Sequence, residues 1–263
     1  MRVLELKTTQ SSIFKILIEA LKEVVVEANI VFTTDTMKIA KQNVSETVYI
    51  NVELKAENFA ESGFYKYNHN QEQLVIGVNI MNLFKLLKTL NNDDILTFYI
   101  EDENMGVLNI RLENNSKATI TKYQLSLIDI NEETFDILPE TFETVITYNA
   151  TSFQKIIKDM SNLHATHVDI KSYNRQLIFT GQGDFATQET TIGEDTDDIK
   201  FNKNTEEIFQ GKYLTANLTS FTKCTNLCNN ITMKLKNDYP LMITYTAGSL
   251  GKITLLIAPT NEN

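Results

Sequence analysis

The chain has 263 residues, 42% hydrophobic and 22% charged, and its 34 acidic against 24 basic residues give a formal net charge of −10. This balance excludes a disordered chain, and no stretch reaches the roughly 20 apolar residues of a membrane span, so no membrane partner is expected. The length allows two domains of about 130 residues, each burying its own core, and the two cysteines, Cys224 and Cys228, form no disulfide framework, which fits a reducing compartment.

Residues 3–7 alternate like a strand and lead into a predicted amphipathic helix over 12–22. Its Ile13, Phe14, Ile16, Leu17, Ala20 and Leu21 fall on one side, and Lys15, Glu19 and Lys22 recur at i, i+4 and i+7 on the other. Short β-branched runs at 29–33, 37–41, 47–54, 65–67 and 73–78 predict strands. A second helix over 79–90 turns Leu83, Phe84, Leu87 and Leu90 inward and Asn82, Lys85, Lys88 and Thr89 outward. Strands are predicted again at 95–100, 106–113 and 118–128.

The second half repeats that order. A strand at 144–148 precedes a helix over 151–161 with Phe153, Ile156, Ile157 and Met160 inward and Lys155 and Lys158 outward. Strands follow at 167–173, 177–180, 185–192 and 206–211. A fourth helix over 216–228 buries Leu218 and Phe221 and exposes Thr219, Ser220 and Lys223, before strands at 231–235, 241–246 and 252–257. The repeat predicts an α+β chain of two similar domains, 1–126 and 143–263, joined by a connecting loop over 127–142.

Net charge is a sum that hides where the charges sit. Acidic clusters occupy predicted loops, at Glu101–Glu103, Glu132–Glu133 and Glu194–Asp198, whereas each predicted helix carries lysine on its polar side. One such face is ordinary solvation, and an AT-rich genome would favour lysine throughout, but four in a repeated frame point to a polyanion. Arg2, Arg111 and Arg175 all lie outside the helices. Lysine is a flexible point charge that touches phosphate, whereas arginine's planar fork reads guanine edges, so this pattern suits duplex DNA held without being read.

The runs Ser12–Lys22 (SIFKILIEALK), Gly77–Lys88 (GVNIMNLFKLLK), Asn92–Ile95 (NDDI), Tyr123–Asp129 (YQLSLID) and Leu256–Pro259 (LIAP) stand in an order and spacing that together are specific. With them the chain resembles, over nearly its whole length, the proliferating cell nuclear antigen (PCNA) family, the DNA sliding clamps of eukaryotes, archaea and some large DNA viruses. The resemblance implies the DNA clamp fold: a homotrimeric ring with antiparallel sheets outside and helices lining a central hole. It implies a processivity factor that encircles double-stranded DNA without sequence preference and tethers replication and repair proteins. DNA polymerase, a clamp loader and PIP-box proteins are the partners implied, in the nucleus or at the site of viral DNA replication. The alternatives are a subunit of a heterotrimeric checkpoint-type clamp and, less well supported, a metal-dependent nucleic acid enzyme.

Family lysines facing the hole match Lys15, Lys22, Lys85, Lys88, Lys155, Lys158 and Lys223, while one basic family position is Ile16 here. In the connecting stretch Phe135, Ile137 and Leu138 are costly to expose without a partner or pocket. The family's client pocket matches Leu138, Pro139, Pro240, Ala258 and Pro259, with Gln42, Thr47, Tyr49 and Leu256 aligned and Phe135 beside them. The family is usually more apolar at the position of Gln42 and often has tyrosine at that of Leu256. By the same resemblance, the edge near 117–125 of one subunit pairs with the edge near 185–192 of the next.

Signals for catalysis are weak, and no catalytic residue, metal or cofactor is expected. Gly181-Gln-Gly183 lacks a phosphate-loop continuation and reads as a hairpin turn. His164 and His167 with Cys224 and Cys228 match no standard zinc spacing, and Asp195-Thr-Asp197 lies in a run that reads as a solvated acidic loop.

Overall fold

The computed structural model describes residues 1–131, 140–193, 196–203 and 206–260. Its first half runs β1 (Arg2–Thr8), α1 (Ser11–Leu21), β2 (Glu27–Phe32), β3 (Thr36–Gln42), β4 (Val48–Lys55), β5 (Gly63–Tyr67), β6 (Leu74–Asn79), α2 (Ile80–Leu87), β7 (Ile95–Glu101), β8 (Asn104–Asn114) and β9 (Thr119–Ser126). The second half repeats this order with β10 (Thr144–Asn149), α3 (Ala150–Asn162), β11 (His167–Tyr173), β12 (Gln176–Gln182), β13 (Thr187–Gly193), β14 (Ile199–Lys203), β15 (Phe209–Leu214), α4 (Thr215–Phe221), β16 (Asn230–Leu235), β17 (Leu241–Ala247) and β18 (Gly251–Ile257). The chain divides into one unit of 1–41, 50–136 and 247–253 and another of 42–49, 137–246 and 254–263.

Strand pairing repeats as faithfully as the element order. In the first unit the strands lie in the order β5-β1-β7-β8-β9 and β4-β3-β2-β6, and in the second β14-β10-β16-β17-β18 and β13-β12-β11-β15. The registered pairs are antiparallel throughout, for instance β1 with β5 and β7, and β10 with β14 and β16. β14 has no counterpart among the predicted strands. Only Ile199 and Phe201 of its five residues are apolar and buried, which is too little alternation to stand out beside an acidic loop.

Each unit sets the same helical face into its core. Phe14, Leu17, Ile18 and Leu21 of α1 are buried, and Phe153, Ile156, Ile157 and Met160 hold the equivalent positions of α3. The Phe14 ring meets Phe98 edge-on at 5.6 Å, and Phe153 packs on Phe179 at 6.1 Å. The expected face of α1 needs correction: Ile18 is inside, whereas Ile13 and Ile16 are half-exposed. Seven apolar residues in eleven positions overfill one stripe, so periodicity alone leaves the rotation of this helix ambiguous.

Two further boundaries differ for local reasons. α4 ends at Phe221 and tightens into a 3₁₀ segment, Thr222–Leu227, so Lys223 sits on the latter. Thr219 and Ser220 donate their hydroxyls to the carbonyls of Thr215 and Ala216 at 2.8 and 3.0 Å, and such back-bonding weakens an α-helix already rich in threonine. Gly183 does form the expected hairpin turn, donating to the Ala186 carbonyl at 2.9 Å. A Cβ there would lie 1.8 Å from the Leu163 carbonyl oxygen, so only glycine lets the hairpin approach the end of α3.

The Asn92–Ile95 run owes its role to Asp94, which is 5% exposed. Its carboxylate accepts from the Asn91 backbone and side chain at 2.9 and 3.0 Å and from Asn114 of β8. Burial pushes its pKa up, but these hydrogen bonds outweigh it and hold the carboxyl below the usual aspartate range. A carboxyl depressed on folding stabilises the fold above its unfolded pKa of about 3.9, and that contribution fades as pH falls through the folded value. Asp94→Asn should therefore lose about 1–2 kcal/mol at pH 7, read as a lower urea midpoint, with the gap from wild type closing below about pH 4.

Candidate nucleic-acid interface

Each unit carries a pair of neighbouring helices, α1 with α2 and α3 with α4. Their N-termini are held differently. The side chains of Asn79 and Asn149 accept from the Asn82 and Ser152 amides at 3.0 and 2.9 Å, capping α2 and α3, while α1 and α4 have no side-chain cap. With the caps fixing rotation, Lys85 and Lys88 stand exposed on and just beyond α2, and Lys155 and Lys158 stand exposed on α3. Lys223 is exposed on the 3₁₀ segment and occupies the position of the repeat that Lys88 holds in the first unit.

The other two predicted contacts are placed differently. The Lys15 ammonium donates to the Leu90 carbonyl at 3.1 Å, beyond the end of α2. Gln154, which follows Phe153 as Lys15 follows Phe14, donates to the Thr222 carbonyl at 2.9 Å beyond the end of α4. The repeat thus uses this position in both units to clamp one helix to its neighbour, and the positive charge suits a helix C-terminus. Lys22 is covered still further: its side chain is 14% exposed, paired with Glu23, with its ammonium 4.8 Å from the centre of the Phe84 ring. The positions of α1 that match Lys155 and Lys158 hold Ile16 and Glu19, so the outward face of α1 is less basic than that of α3.

The residues assigned to a client pocket divide likewise. Phe135, Leu138 and Pro139 lie outside the described residues. In the second unit Leu256 belongs to an apolar cluster with Phe142 and Met242, all under 9% exposed, and Tyr49, Val145 and Tyr239 pack against it. Phe142 and Tyr239 meet edge-on with ring centres 5.4 Å apart. Pro240, Ala258 and Pro259 are half-buried. Thr47 is a structural tie: its carbonyl accepts from the Ala258 amide at 2.9 Å, and its hydroxyl meets Ser45 and Asn217. Gln42 is exposed and turns its amide onto the Glu46 carbonyl at 3.0 Å.

Phe142, Val145, Tyr239 and Met242 are absent from the set read from sequence. The register Val145↔Lys234↔Met242 sets two of them on one sheet face, a juxtaposition that no local pattern encodes. One signal could have found Met242: β17 is buried at Leu241, Met242 and Ile243 in succession, as in a strand covered on both faces.

The family model described as the proliferating cell nuclear antigen N-terminal domain matches residues 3–136, and that of its C-terminal domain matches residues 136–260. The chain belongs to the proliferating cell nuclear antigen family. It is 30% identical to a probable DNA polymerase sliding clamp 1 of Paramecium bursaria Chlorella virus 1, over 97% of this chain and 95% of that protein. It is 29% identical to the proliferating cell nuclear antigen of Chaetomium thermophilum, over 98% of both chains. A probable DNA polymerase sliding clamp of Acanthamoeba polyphaga mimivirus is also 29% identical, over 87% of this chain but 48% of that longer protein.

The residues weighed as zinc ligands do not assemble in this PCNA-family chain. Among the described residues no three His, Cys, Asp or Glu side chains gather as a metal site. Cys224 is buried, which pushes its thiol pKa up to about 12, and Cys228 turns its thiol to the Asn230 carbonyl. His164 ends α3 in the left-handed region at φ 62° and meets Asp184 at 3.1 Å. Among the described residues, no helix is long and apolar enough to cross a membrane.

Proposed function

We propose that this chain is a DNA sliding clamp and processivity factor that encircles duplex DNA as a homotrimeric ring. The observation that carries the reading is the lysine set Lys85, Lys88, Lys155, Lys158 and Lys223, exposed on the helix pairs of both units in a chain of net charge −10. A basic surface within an acidic molecule attracts a polyanion to that surface alone, and lysine without arginine holds phosphate without reading bases. The names of the viral and fungal relatives agree with this role.

Ring closure draws on the sheet edges. β9 ends the five-stranded sheet and β13 the four-stranded one, and Ile120 on β9 is 56% exposed. Edges of this kind are a liability unless another chain covers them, and a head-to-tail pairing of β9 with β13 of the next subunit must close into a ring or grow as a filament. The cluster of Phe142, Met242 and Leu256, with the connecting loop, is the docking surface for DNA polymerase, the clamp loader and other PIP-box proteins. The setting is the nucleus or the site of viral DNA replication, and the chain itself performs no chemical step.

Retention on DNA tests the reading. The full chain, placed on nicked circular plasmid by a clamp loader, should co-elute with the DNA at physiological salt and be lost when the plasmid is cut once. Release from intact circles as fast as from cut ones overturns encirclement. Light scattering of the chain alone should give three times the 30.0 kDa of one subunit.

A further inference from the structure

The two edges proposed to close the ring carry their free donors at alternate residues. The Leu127 amide bonds the Gly106 carbonyl, so along β9 the amides of Ile120, Lys122 and Gln124 point away from β8. The bond from Gly183 to Ala186 sets β13 in the same way, and there the amides of Thr187, Glu189 and Thr191 point away from β12. When two such edges pair antiparallel, facing residues exchange two hydrogen bonds, so each of the first set must face one of the second. Registers therefore move in steps of two, and a slip of one would also turn every side chain to the other sheet face.

Side chains decide between these steps. Lys122 is exposed, and directly across the ladder on β8 it meets Arg111, a like charge whose own partner is Glu113 at 2.7 Å. The same row continues through Thr97 of β7 to Lys7 of β1. Glu189 is exposed and meets Thr180 across the ladder on β12, with Ile178 and Gln182 to either side. Beyond Thr180 its row holds Asp169 of β11, and Lys212 of β15 faces that aspartate. Among the described residues neither Lys122 nor Glu189 joins an ion pair. Lys7, Arg111 and Lys122 against Glu113 leave +2 at the β9 edge, and Asp169 and Glu189 against Lys212 leave −1 at the β13 edge.

We propose that an ion pair between Lys122 and the next subunit's Glu189 fixes the closing register and makes each edge select a second copy of this chain. This rests on the reading of β9 and β13 as the closing edges. The register sets Ile120 against Thr191, Lys122 against Glu189 and Gln124 against Thr187, with Thr121 meeting Thr190 on the opposite sheet face. Phe185, 74% exposed and two residues before β13, then comes level with Ser126 at the end of β9. Sliding by two in one direction carries Phe185 past the end of β9 and sets Lys122 against Thr191. Sliding the other way sets Lys122 against Thr187 and Ile120 against Glu189. Either slide moves the carboxylate to a diagonal position about 7–8 Å off. A related clamp chain with a neutral or acidic residue in place of Lys122, or a neutral or basic one in place of Glu189, lacks the contact and is disfavoured as a neighbour.

Two measurements on the full-length chain test this. For the register, Cys228→Ser removes the accessible thiol and the buried Cys224 is kept. Thr121→Cys is then combined in turn with Gln188→Cys, Thr190→Cys and Ile192→Cys, which leave Lys122 and Glu189 in place. Facing residues of a non-hydrogen-bonded pair have Cα atoms about 4.5 Å apart, within disulfide range, and a slide of two takes them out of it. Mild oxidation should link position 121 to position 190 in covalent dimers and trimers, and preferential linking to 188 or 192 overturns the register. For selection, Lys122→Glu and Glu189→Lys should each raise the concentration at which rings dissociate about tenfold, read by sedimentation, because like charges then face each other at every contact. The double exchange should restore assembly. Reassembled with tagged wild-type chain, the double exchange should be recovered at about a tenth of the share of untagged wild type, a gap that shrinks in about 0.5 M salt. Equal recovery, or a double exchange as weak as the single ones, overturns the ion pair. A wild-type chain that stays monomeric overturns the ring reading and this pairing with it, whereas a wild-type trimer that links at none of the three positions overturns the pairing and leaves the ring standing.

Discussion

Replacing Lys85, Lys88, Lys155 and Lys158 together by glutamate should reduce polymerase stimulation on primed circular DNA to the level seen without the chain. Each substitution changes the charge by −2, so four take the subunit from −10 to −18, and all of the change falls on the helix faces proposed to meet the duplex. Where wild-type binding weakens with salt, the slope should flatten by about 0.9 for each phosphate contact removed. Stability should change little, since surface substitutions away from packed features usually stay within about 0.5 kcal/mol each. Lys85 lies in the last turn of α2, where its loss adds about 0.3–1 kcal/mol.

Lys15→Gln is the informative control. It installs the residue that the second unit already uses at this position, where Gln154 bonds the Thr222 carbonyl, so helix clamping and stimulation should both survive. Undiminished stimulation by the fourfold variant, or its collapse in Lys15→Gln alone, would place the DNA contacts elsewhere.

Proline at two edge positions should convert the proposed ring to monomers. The Leu127 amide donates to the Gly106 carbonyl, and antiparallel alternation from that pair turns the Ile120 amide away from β8. On β13 the hairpin bond between Gly183 and Ala186 sets the same alternation, which leaves the Thr191 amide facing away from β12. Ile120→Pro and Thr191→Pro therefore remove outward donors while sparing the ladders inside each subunit. A lost hydrogen bond with a stranded acceptor costs about 2 kcal/mol, so each interface should weaken by about two to three orders of magnitude for the pair. Sedimentation should show monomers with unchanged far-ultraviolet circular dichroism, no longer retained on circular DNA. Trimers that persist in the double variant would show that the closing contact lies on other strands.

Much of this was legible in the chain because it depends on local period. Phe14 and Phe153 head the same buried stripe in two helices 139 positions apart, and that recurrence exposes the repeat before any fold is known. Lys155 and Lys158 lie outside because Ile156, Ile157 and Met160 must lie inside. The same logic left Ile18 out of the inward set of α1 and put Ile13 and Ile16 in it, since seven apolar residues in eleven positions overfill a single stripe.

Sequence by itself thus determined the two-fold repeat, the element order apart from β14 and the buried faces of α3 and α4, because periodicity is carried by neighbours in the chain, and its motif runs carried the resemblance to the clamp family. Tertiary structure alone decided what each exposed group meets. Lys15 finds its acceptor 75 residues away and Lys22 finds Phe84 on another helix, while Phe142, Met242 and Leu256 converge from three separate segments. Strand β14 becomes a strand by pairing with β10, not by its own pattern. Hydrogen bonds and packing act over a few ångströms regardless of separation along the chain, so the partners of a side chain are set by which strands and helices the fold makes adjacent.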